Sequence, residues 1–599
     1  MNEHLKIVVR VVTAGAVLSA LNFYGVGIPA LYLLPYLIAG YDVIIEAFRG
    51  IREGEIFGEC FLMSIATIGA LILGEYNEAC AVMIFYQVGE FFADYASDRT
   101  RENITALMDL RPDYANLEKS DGTSTQVSPS SVSEGSIIVI KPGEKIPIDG
   151  VVVEGHSGID TSKLTGESMP RDVMAGSEVL SGCVNLSGVL RVRTTKTFTQ
   201  SAASKILELI ESAGASKSSS EKFITRFAKI YTPSVCIAAL SIALIPPLFA
   251  GNFRAWVYRA LTFLVVSCPC ALVVSVPLAF FSAVGTMGRR GVLVKGGIFI
   301  ERLAELSAII FDKTGTLTRG VFGVTGVYPV SISADELLHL AAHAERFSHH
   351  PAADALRRAY PNEADSCAVT DSEETAGFGV CTTVNGHVVR AGRAAMMEGV
   401  PKVSETGTVI HVSVDGEYSG HVVISDTLKN DAKSAVEALK SLGVERVMML
   451  TGDAEQSAKE AAMSAGIDEY HAGLLPSDKV EIVKSVKGVK AFAGDGINDA
   501  PVLACADVGI AMGALGSDAA VEAADVVIMD DDLMKIPEAV KISRRCMRIV
   551  RQNVYGSIGV KMLCLALGAL GIAGMRLAVF ADVGVLILAV INSIRPVRP

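Results

Sequence analysis

The sequence is poor in aromatic residues, in paired cysteines and in basic charge. Only 6% of its 599 residues are aromatic, and 53 Lys and Arg face 65 Asp and Glu. This composition gives no indication of a nucleic-acid-binding surface. The eleven cysteines are scattered, apart from one pair at positions 268 and 270, so a secreted disulfide framework is not expected. The chain also has no Gly-x-x-x-x-Gly-Lys-Ser/Thr stretch, which excludes a P-loop nucleotide site.

Hydrophobic residues, in contrast, are abundant. They make up half of the chain, and the mean hydropathy is +0.41. This is too apolar for an ordinary soluble enzyme, whereas a charged fraction of 20% is too high for a simple bundle of membrane spans. The length suggests roughly three or four domains of about 150 residues. The composition therefore predicts membrane helices combined with large soluble domains, and it excludes disorder.

The apolar residues are concentrated in runs of about 20, the length that crosses a bilayer core. We identify eight such runs in four pairs: 5–23 and 27–48, 56–73 and 79–96, 228–250 and 256–284, and 554–574 and 577–594. The first run lacks a small-residue cleavage site and a second run follows at once, so it is interpreted as a retained helix rather than a signal peptide. Most flanking Lys and Arg fall on one side, which predicts a multi-pass protein, expected in the plasma membrane, with both termini and both long soluble segments in the cytoplasm.

Two soluble segments separate the runs. Residues 98–221 contain short β-type runs and Pro-Gly turns, which predict a compact β domain. Residues 290–545 alternate strand-like and helix-like stretches, which predicts a parallel α/β sheet; within them, residues 321–424 change character and are interpreted as an inserted domain. The predicted domains are 1–97 (spans 1–4), 98–221 (β), 222–289 (spans 5–6), 290–320 with 425–545 (α/β), 321–424 (inserted) and 546–599 (spans 7–8).

The α/β segment opens with Asp312-Lys313-Thr314-Gly315-Thr316, directly after an apolar run at 308–311. A carboxylate at the carboxyl end of a buried strand can attack a phosphoryl group and form an acyl phosphate. Lys313 and the backbone amides of the Gly315 turn would offset charge on the transferred phosphate. The alternative for a lone Asp-Lys pair is a strand-end Asp that caps a helix, but the ordered run of residues argues against it.

Two further blocks, at 449–453 and 493–501, also follow apolar strands. Thr451 can donate its hydroxyl to a phosphate oxygen, and Lys479 lies where a cation could reach the same phosphate. Asp495 can complete a Mg²⁺ site with Asp312, since Mg²⁺ prefers hard oxygen ligands and keeps several waters. The predicted Mg²⁺ ligands are Asp312, Thr314, Asp495 and Asp499, with Asn498 near the site.

These blocks together resemble the haloacid-dehalogenase-like phosphotransferases, and Thr165-Gly166-Glu167-Ser168 narrows the resemblance to the P-type ATPases. The resemblance implies a β actuator domain, an α/β phosphorylation domain and an inserted α+β nucleotide-binding domain, all cytoplasmic. It also implies that ATP, with Mg²⁺, phosphorylates Asp312 and that Glu167 positions the hydrolytic water. By itself, the Thr-Gly-Glu-Ser stretch would be interpreted as an ordinary turn.

The inserted segment carries a Ser-x-His-Pro motif at 348–351 and a Gly-x-Gly turn at 377–379. In the heavy-metal branch of the P-type ATPases these motifs hold the adenine nucleotide. The resemblance therefore implies nucleotide contacts from Glu345, His350, Gly377 and Gly379, with Gly392 nearby. His349 stands where relatives often have Glu. A His-Pro pair alone would be interpreted as a loop feature.

The sixth apolar run contains Cys268-Pro269-Cys270. Proline removes a backbone donor and breaks the helix, which frees carbonyl groups at membrane depth. Two thiols beside that break form a soft-ligand site suited to Zn²⁺ or Cu⁺ rather than Mg²⁺ or Ca²⁺. The alternative is a pair of small buried residues at a kink. The same Cys-Pro-Cys motif marks the heavy-metal branch.

Three charged residues within the runs complete the predicted ion path. Lys561 and Asp582 each cost about 2.5–3.5 kcal/mol near the bilayer centre, so they are expected to face inward and pair; Asp582 is also close enough to the Arg576 turn to be interfacial. Their placement resembles the zinc, cadmium and lead branch, in which the Asp is an ion ligand and the Lys an internal counter-cation. Glu90 matches a family Glu on the exit path, although Glu90 and Asp94 could also form a solvated helix end.

The resemblance implies ATP-driven export of Zn²⁺, Cd²⁺ or Pb²⁺ through an aspartyl phosphate, and a copper or other transition-metal pump is the alternative. The expected partners are the metal ion and the lipid bilayer. No Cys-x-x-Cys motif occurs, so metal is expected to arrive directly or from a separate, unidentified donor. A membrane-tethered phosphatase would need Asp312 and Asp495 but not Glu167, and a metal sensor or channel would bind metal without turnover.

Overall fold

The structure is a computed structural model of the chain. It describes residues 3–25, 28–53, 58–105, 112, 114–119, 123–161, 170–204, 218–267, 270–348, 351–360, 367–375, 378–401, 403, 407–496, 499–513, 518–572 and 574–595. The chain forms two compact units, one of Met1–Ala304 with Ala539–Pro599 and one of Glu305–Glu538.

Long helices lie toward both ends of the chain, and strands and shorter helices lie between them. The helices among the described residues are α1 (Glu3–Phe23), α2 (Pro29–Glu53), α3 (Glu59–Ile72), α4 (Tyr76–Thr105), α5 (Ser219–Leu244), α6 (Pro247–Ala250), α7 (Phe253–Val266), α8 (Cys270–Gly288), α9 (Gly297–Ala304), α10 (Ala334–Ala344), α11 (Pro351–Ala359), α12 (Ala432–Ser441), α13 (Glu455–Ala465), α14 (Pro476–Ser485), α15 (Ala500–Leu503), α16 (Asp518–Ala523), α17 (Lys535–Ala569) and α18 (Met575–Ser593). The strands are β1 (Ala115–Glu118), β2 (Ser124–Val127), β3 (Ile137–Ile140), β4 (Gly150–Glu154), β5 (Ser157–Asp160), β6 (Arg171–Val173), β7 (Glu178–Val179), β8 (Val184–Asn185), β9 (Leu190–Thr194), β10 (Val292–Val294), β11 (Ala308–Asp312), β12 (Thr318–Pro329), β13 (Val369–Thr375), β14 (Gly379–Val384), β15 (His387–Gly392), β16 (Thr408–Val414), β17 (Glu417–Leu428), β18 (Arg446–Leu450), β19 (Glu469–His471), β20 (Lys490–Gly494), β21 (Val508–Ala511) and β22 (Val526–Ile528).

The first unit contains helices that are long and apolar enough to cross a bilayer. Among the described residues five stretches meet this criterion: Leu5–Phe23, Pro29–Glu53, Ile230–Ala250, Phe253–Gly288 and Met575–Ser593. The remaining apolar runs predicted from the sequence lie on α3, α4 and α17. The chain is therefore a multi-pass membrane protein.

Small residues allow these helices to pack closely. A Cβ atom on Gly40 of α2 would lie 2.5 Å from the Met83 side chain of α4, and one on Gly69 of α3 would lie 2.8 Å from Leu261 of α7. Lipid provides little hydrophobic driving force between helices, so close van der Waals contact at small residues is what holds them together. The core that these four helices share with α1 and α18 is correspondingly rich in alanine.

A paired charge explains how α1 tolerates an arginine within its apolar run. Arg10 donates to both carboxylate oxygens of Asp42 on α2, with Nη2–Oδ1 and Nη1–Oδ2 distances of 2.7 and 2.9 Å. It also donates to the carbonyl of Ala39 at 2.9 Å, and Gln87 of α4 donates to Asp42 at 2.9 Å. Since intramembrane charges are expensive unless they are paired, this network accounts for both residues.

The segment between α4 and α5 is built from antiparallel sheets. Strands in the order β2-β1-β3-β9-β4-β7 form one sheet, and β6-β5-β8 form a second. The short β-type runs of this segment include Ile137–Ile140 in β3 and residues 151–153 in β4. A buried carboxylate anchors the connections, because Asp149 accepts hydrogen bonds from the backbone amides of Ser181 and Ala202 at 2.9 and 3.1 Å.

The second unit contains a parallel sheet in which β22, β21, β20, β11, β18 and β19 lie in that order. All five residues of β11 are buried, as expected for a central parallel strand. Asp312 pairs in register with Leu450, and Phe311 pairs with Ala493. The carboxyl ends of three adjacent strands therefore deliver Asp312, Thr451 and Asp495 to one edge of the sheet.

An antiparallel sheet with the order β12-β17-β16-β15-β14-β13 follows β11 in the same unit. Helices α10 and α11 pack on one side of it over a core that includes Leu337, Leu356 and Val412. The chain enters this sheet by β12 and leaves by β17, which pair from Thr318–Leu428 onward. The strand by which the chain enters the sheet and the strand by which it leaves are therefore neighbours.

Candidate phosphorylation, nucleotide and ion sites

Asp312 ends β11 with an extended backbone and is buried. The Lys479 ammonium donates to Asp312 Oδ1 at 2.6 Å and to Asp499 Oδ1 at 2.9 Å. Lys479 comes from the first turns of α14, and Asp499 directly precedes α15. One buried cation thus bridges two buried carboxylates at the edge of the parallel sheet.

The pKa values at this edge reflect burial and crowding of like charges. Burial raises the pKa of Asp312 to about 7, and the carboxylates of Asp499 and Asp495 raise it as well, which together outweigh Lys479. Burial opposes the ammonium form of Lys479, but its two carboxylate partners more than offset this, so the pKa of Lys479 is raised. The site therefore holds more negative charge than its lysine neutralises, which favours a further cation.

Lys313 is turned toward the neighbouring strand. Its ammonium forms an ion pair with Asp453 and donates to Ser457 Oγ at 3.1 Å. Thr451 Oγ1 accepts a hydrogen bond from the Asp453 amide at 3.1 Å, which fixes the turn after β18. Sequence analysis placed Asp453 in the block at 449–453 but gave it no role, because a sequence does not show which lysine faces it.

The turn after Asp312 depends on glycine. Gly315 has φ +72°, and a Cβ atom there would lie 3.2 Å from Asp495 Oδ2. The glycine therefore lets the Asp312 turn approach Asp495 closely, while Thr314 is exposed. Thr318 closes the turn by bonding Asp426, a residue that sequence analysis did not assign. Hard carboxylate oxygens at adjacent strand ends, with unbalanced negative charge, fit Mg²⁺.

Two of the predicted nucleotide residues, Glu345 and Gly379, are among the described residues and lie on the antiparallel sheet or beside its helices. Glu345 is buried directly after α10, and the Arg357 guanidinium donates to the carbonyls of Glu345 and Ser348 at 2.8 and 2.9 Å. Gly379 and Gly392 face each other in register between β14 and β15. A Cβ on either one would lie within about 2.3 Å of a facing carbonyl oxygen, so only glycine fits there.

Several predicted residues lie outside the described residues. They are Glu167, Cys268, Asn498, His349, His350 and Gly377. Cys270 begins α8, but its side chain is likewise not described.

The predicted intramembrane pair is present. Lys561 of α17 forms an ion pair with Asp582 of α18, and both side chains are largely buried, with 8% and 14% exposed. Lys561 Nζ also donates to the carbonyl of Val266 at 3.3 Å. Val266 is the last residue of α7, and α8 resumes at Cys270. The described part of α7 therefore ends two residues before Cys268, and the carbonyl of its last residue accepts a hydrogen bond from the lysine.

Glu90 lies on α4 beside α18. The neighbouring Gly89 packs against α18, because a Cβ there would lie 3.3 and 3.5 Å from Leu586 and Val583. The Glu90 carboxylate hydrogen-bonds with Tyr86 and lies near Asp94 and Asp42. Glu90 and Asp582 are therefore carried by two helices in direct contact.

The family of the chain follows from comparison with known proteins. Residues 109–211 match the P-type ATPase actuator domain, and residues 306–507 match the haloacid dehalogenase-like hydrolases. The cadmium, zinc and cobalt-transporting ATPase of Bacillus subtilis (strain 168) is 50% identical over 582 residues, which cover 95% of this chain and 83% of the relative. The chain belongs to the metal-transporting P-type ATPases.

Other relatives of this ATPase agree with that assignment. The zinc-transporting ATPase of Synechocystis sp. (strain ATCC 27184 / PCC 6803 / Kazusa) is 48% identical over 578 residues, covering 94% of this chain and 80% of the relative. The crystal structure of a zinc-transporting PIB-type ATPase matches with a TM-score of 0.65 and 34% identity over the whole of both chains. A second crystal structure of a zinc-transporting PIB-type ATPase, in another state of the pump, matches with a TM-score of 0.61, also at 34% identity over the whole of both chains. The prediction from the sequence that the chain is a heavy-metal P-type ATPase is confirmed.

Sequence analysis of the ATPase missed a cavity in its membrane unit. It has a volume of about 460 Å³ and is lined by residues of α4 and α7 and by the turns α3–α4 and α17–α18. Glu78 lies in its wall and accepts a hydrogen bond from Tyr258, and Arg254 and Arg259 also line it. The acidic turn at 74–78 was the available signal, but its position in the sequence does not reveal a cavity.

Proposed function

We propose that this ATPase exports Zn²⁺, Cd²⁺ or Pb²⁺ from the cytosol, driven by phosphorylation of Asp312. The observation that carries the choice of metal is the Lys561–Asp582 pair beside the end of α7. A carboxylate that joins the proposed Cys268 and Cys270 ligands suits a borderline divalent ion, whereas Cu⁺ prefers soft ligands alone. The names of the relatives, which transport cadmium, zinc and cobalt, support this proposal. Copper remains the alternative cargo that the experiment below tests.

We assign the chemistry of phosphorylation to the edge of the parallel sheet. A carboxylate oxygen of Asp312 attacks the γ-phosphorus of ATP, the bond to the bridging oxygen breaks, and ADP leaves. Lys479 and Lys313 carry the positive charge at this edge, and Thr451 offers its hydroxyl to a phosphate oxygen. Mg²⁺ bound by Asp312, Thr314, Asp495 and Asp499 would neutralise charge on the transferred phosphate.

We assign nucleotide binding and hydrolysis to residues on the other cytoplasmic domains. Glu345, His350, Gly377 and Gly379 are proposed to hold ATP on the inserted domain, where Arg357 fixes the loop that begins at Glu345. Glu167 of the actuator domain is proposed to position the water that hydrolyses the aspartyl phosphate. We propose eight spans in the plasma membrane, with both termini and all three soluble domains in the cytoplasm.

The ion path is proposed to run between the Cys268-Pro269-Cys270 segment and α18. Cys268 and Cys270 as thiolates and the Asp582 carboxylate bind the ion, which releases protons because the ligands must be deprotonated. Lys561 then competes for Asp582 and promotes release, and Glu90 receives the ion on the neighbouring helix. Metal reaches the site directly or from a separate donor.

Metal-dependent ATP hydrolysis by the purified protein tests this function. We expect Zn²⁺, Cd²⁺ and Pb²⁺ to stimulate hydrolysis and Cu⁺ to leave it unchanged, with Asp312→Asn as the inactive control. Stimulation by Cu⁺ alone would retain the pump but overturn the cargo. Hydrolysis that ignores metal and survives Asp312→Asn would overturn transport through an aspartyl phosphate.

A further inference from the structure

Three metal-ligating side chains that none of the sites above uses meet in the second unit. His339 and His343 lie one turn apart on α10, and Cys367 lies just before β13. One potential ligand atom from each residue lies within 4.8 Å of the others. His339 Nε2 and Cys367 Sγ are 3.2 Å apart. We propose that His339, His343 and Cys367 form a second metal site, which binds Zn²⁺ or a similar borderline divalent cation.

The spacing of the three residues explains why they converge. Residues four apart on a helix lie on the same face, so His339 and His343 present their rings together. Their ring centroids are 4.7 Å apart. Cys367 approaches from the chain segment that leads into β13, at the far edge of the antiparallel sheet. Two ligands from one helix turn and a third from a distant segment are a usual way to build a zinc site.

The separations also fit zinc coordination. Zn–N bonds of about 2.0–2.1 Å and Zn–S bonds of about 2.3 Å, at tetrahedral angles, place ligand atoms roughly 3.3–3.6 Å apart. The His339–Cys367 separation of 3.2 Å is already close to this value. All three ligand atoms lie within 4.8 Å of one another, so side-chain shifts of about an ångström would bring them to coordination distances. Three protein ligands leave a fourth position for water or a substrate.

Neighbouring side chains hold the cysteine and the imidazoles in place. Asn385 Nδ2 donates to Cys367 Sγ at 3.1 Å, and Asn385 Oδ1 accepts from the next backbone amide, Ala368, at 3.0 Å. A donor to sulfur stabilises the thiolate form that binds metal. The Tyr360 ring lies 5.1 Å from that of His339 and 5.8 Å from that of His343.

This site is separate from the proposed transport path. Its residues belong to the second unit, whereas Cys268, Cys270 and Asp582 belong to the first. It lies next to the nucleotide residues, because α10 ends at Ala344 and Glu345 follows directly. Metal at His343 would therefore immobilise the last turn of the helix that precedes Glu345.

Cobalt binding to the full-length protein tests the proposal. The transport ligands are first removed by Cys268→Ala, Cys270→Ala and Asp582→Asn, so that failure of export and failure of this site are separate results. Co²⁺ is added as the probe, because thiolate ligation gives an intense sulfur-to-cobalt charge-transfer band in the near ultraviolet. We expect one equivalent of Co²⁺ with this band, and its displacement by Zn²⁺.

Matched variants in the same background assign the ligands. Cys367→Ser should abolish the band, and His339→Asn should weaken Co²⁺ binding by at least about tenfold, since it removes one of three ligands. Cys381→Ser and His387→Asn, on the same sheet but outside the cluster, should leave binding unchanged. The proposal is overturned if the background protein binds no Co²⁺, or if the band survives Cys367→Ser. Because His339→Asn keeps Cys367, unchanged affinity in that variant would also overturn it.

Discussion

Lys561 and Asp582 form an ion pair between α17 and α18, and the same ammonium donates to the carbonyl that ends α7. Each charge neutralises the other, which allows both to lie inside the membrane unit. In the proposed ion path the Asp582 carboxylate binds the metal ion, so Lys561 and the metal ion compete for the same side chain.

Replacing Lys561 should strengthen metal binding and slow turnover. In Lys561→Met, Asp582 loses its competitor, so we expect the apparent Zn²⁺ affinity to rise about tenfold, a typical coupling between two binding events, and kcat for ATP hydrolysis to fall. Zn²⁺ titrations of ATPase activity measure both quantities. Lys541→Met, at an exposed position earlier on α17, is the matched control. Equal Zn²⁺ affinity in the Lys561 variant and the native protein would contradict the competition.

Removing Lys479 should destabilise the second unit. Lys479→Met leaves Asp312 and Asp499 buried without their cation, and loss of one partner of a buried pair costs about 3–5 kcal/mol. Asp499→Asn should restore part of this loss in the Lys479→Met protein but be destabilising alone. Thermal unfolding in detergent measures the stability of both single variants and of the double variant. Lys487→Met, at an exposed position, is the control. Additive effects of the two substitutions would show that the two side chains are not coupled.

Breaking the Arg10–Asp42 pair should impair folding in the membrane. Asp42→Asn leaves the Arg10 guanidinium without its carboxylate, and an uncompensated charge in a membrane helix costs up to about 2.5–3.5 kcal/mol, the value at the helix centre. The double variant Arg10→Met/Asp42→Asn should recover much of the loss. Glu46→Gln removes only an exposed partner of Arg49 and should change stability by less than about 0.5 kcal/mol. The yield and the thermal unfolding of purified protein compare the three variants with the native protein.

The stability of the antiparallel sheet should fall in mild acid. Burial lowers the pKa of His411 below its ordinary value of 6.5, and nearby His421 lowers it further; the Tyr418 hydroxyl lies between the two rings, 3.1 Å from each. Because the folded state resists protonation, the unfolded state binds more protons below about pH 6.5, and stability is lost as the pH falls toward the folded pKa. Stability above pH 6.5 should be unaffected.

Hydrogen exchange of the β16 amides between pH 8 and pH 5, corrected for intrinsic rates, measures this effect. His411→Asn should flatten the pH dependence, whereas His387→Asn, at an exposed pair with Asp415, should preserve it. A native profile that is already flat would contradict the assignment to His411.

The sequence predicted the site residues that lie at the carboxyl ends of buried strands. Asp312, Thr451 and Asp495 each follow an apolar run, and parallel strand ends meet at one edge, so their convergence could be predicted. Lys561 and Asp582 could be paired because two charges in apolar runs require each other.

Contacts between distant residues could not be predicted in the same way. The sequence placed Lys479, Asp312 and Asp499 at one site but did not show that Lys479 bridges the two carboxylates. It also did not show that Lys313 forms an ion pair with Asp453. His339 and His343 are recognisable as one helix face, but the position of Cys367 depends on how the chain returns to β13. These relationships follow from tertiary packing rather than from local pattern.

The adjacent crossing strands β12 and β17 have a mechanical consequence. They form a single ribbon that begins at Thr318, six residues after Asp312, and Thr318 itself bonds Asp426 of β17. The sheet extends from this ribbon across five strand spacings, about 24 Å at about 4.8 Å each. A twist of about 10° at the ribbon would displace the outer edge at β13 by about 4 Å. Asp312 lies close to the axis of such a rotation and β13 lies farthest from it, so a small rotation beside Asp312 would produce the largest displacement at β13.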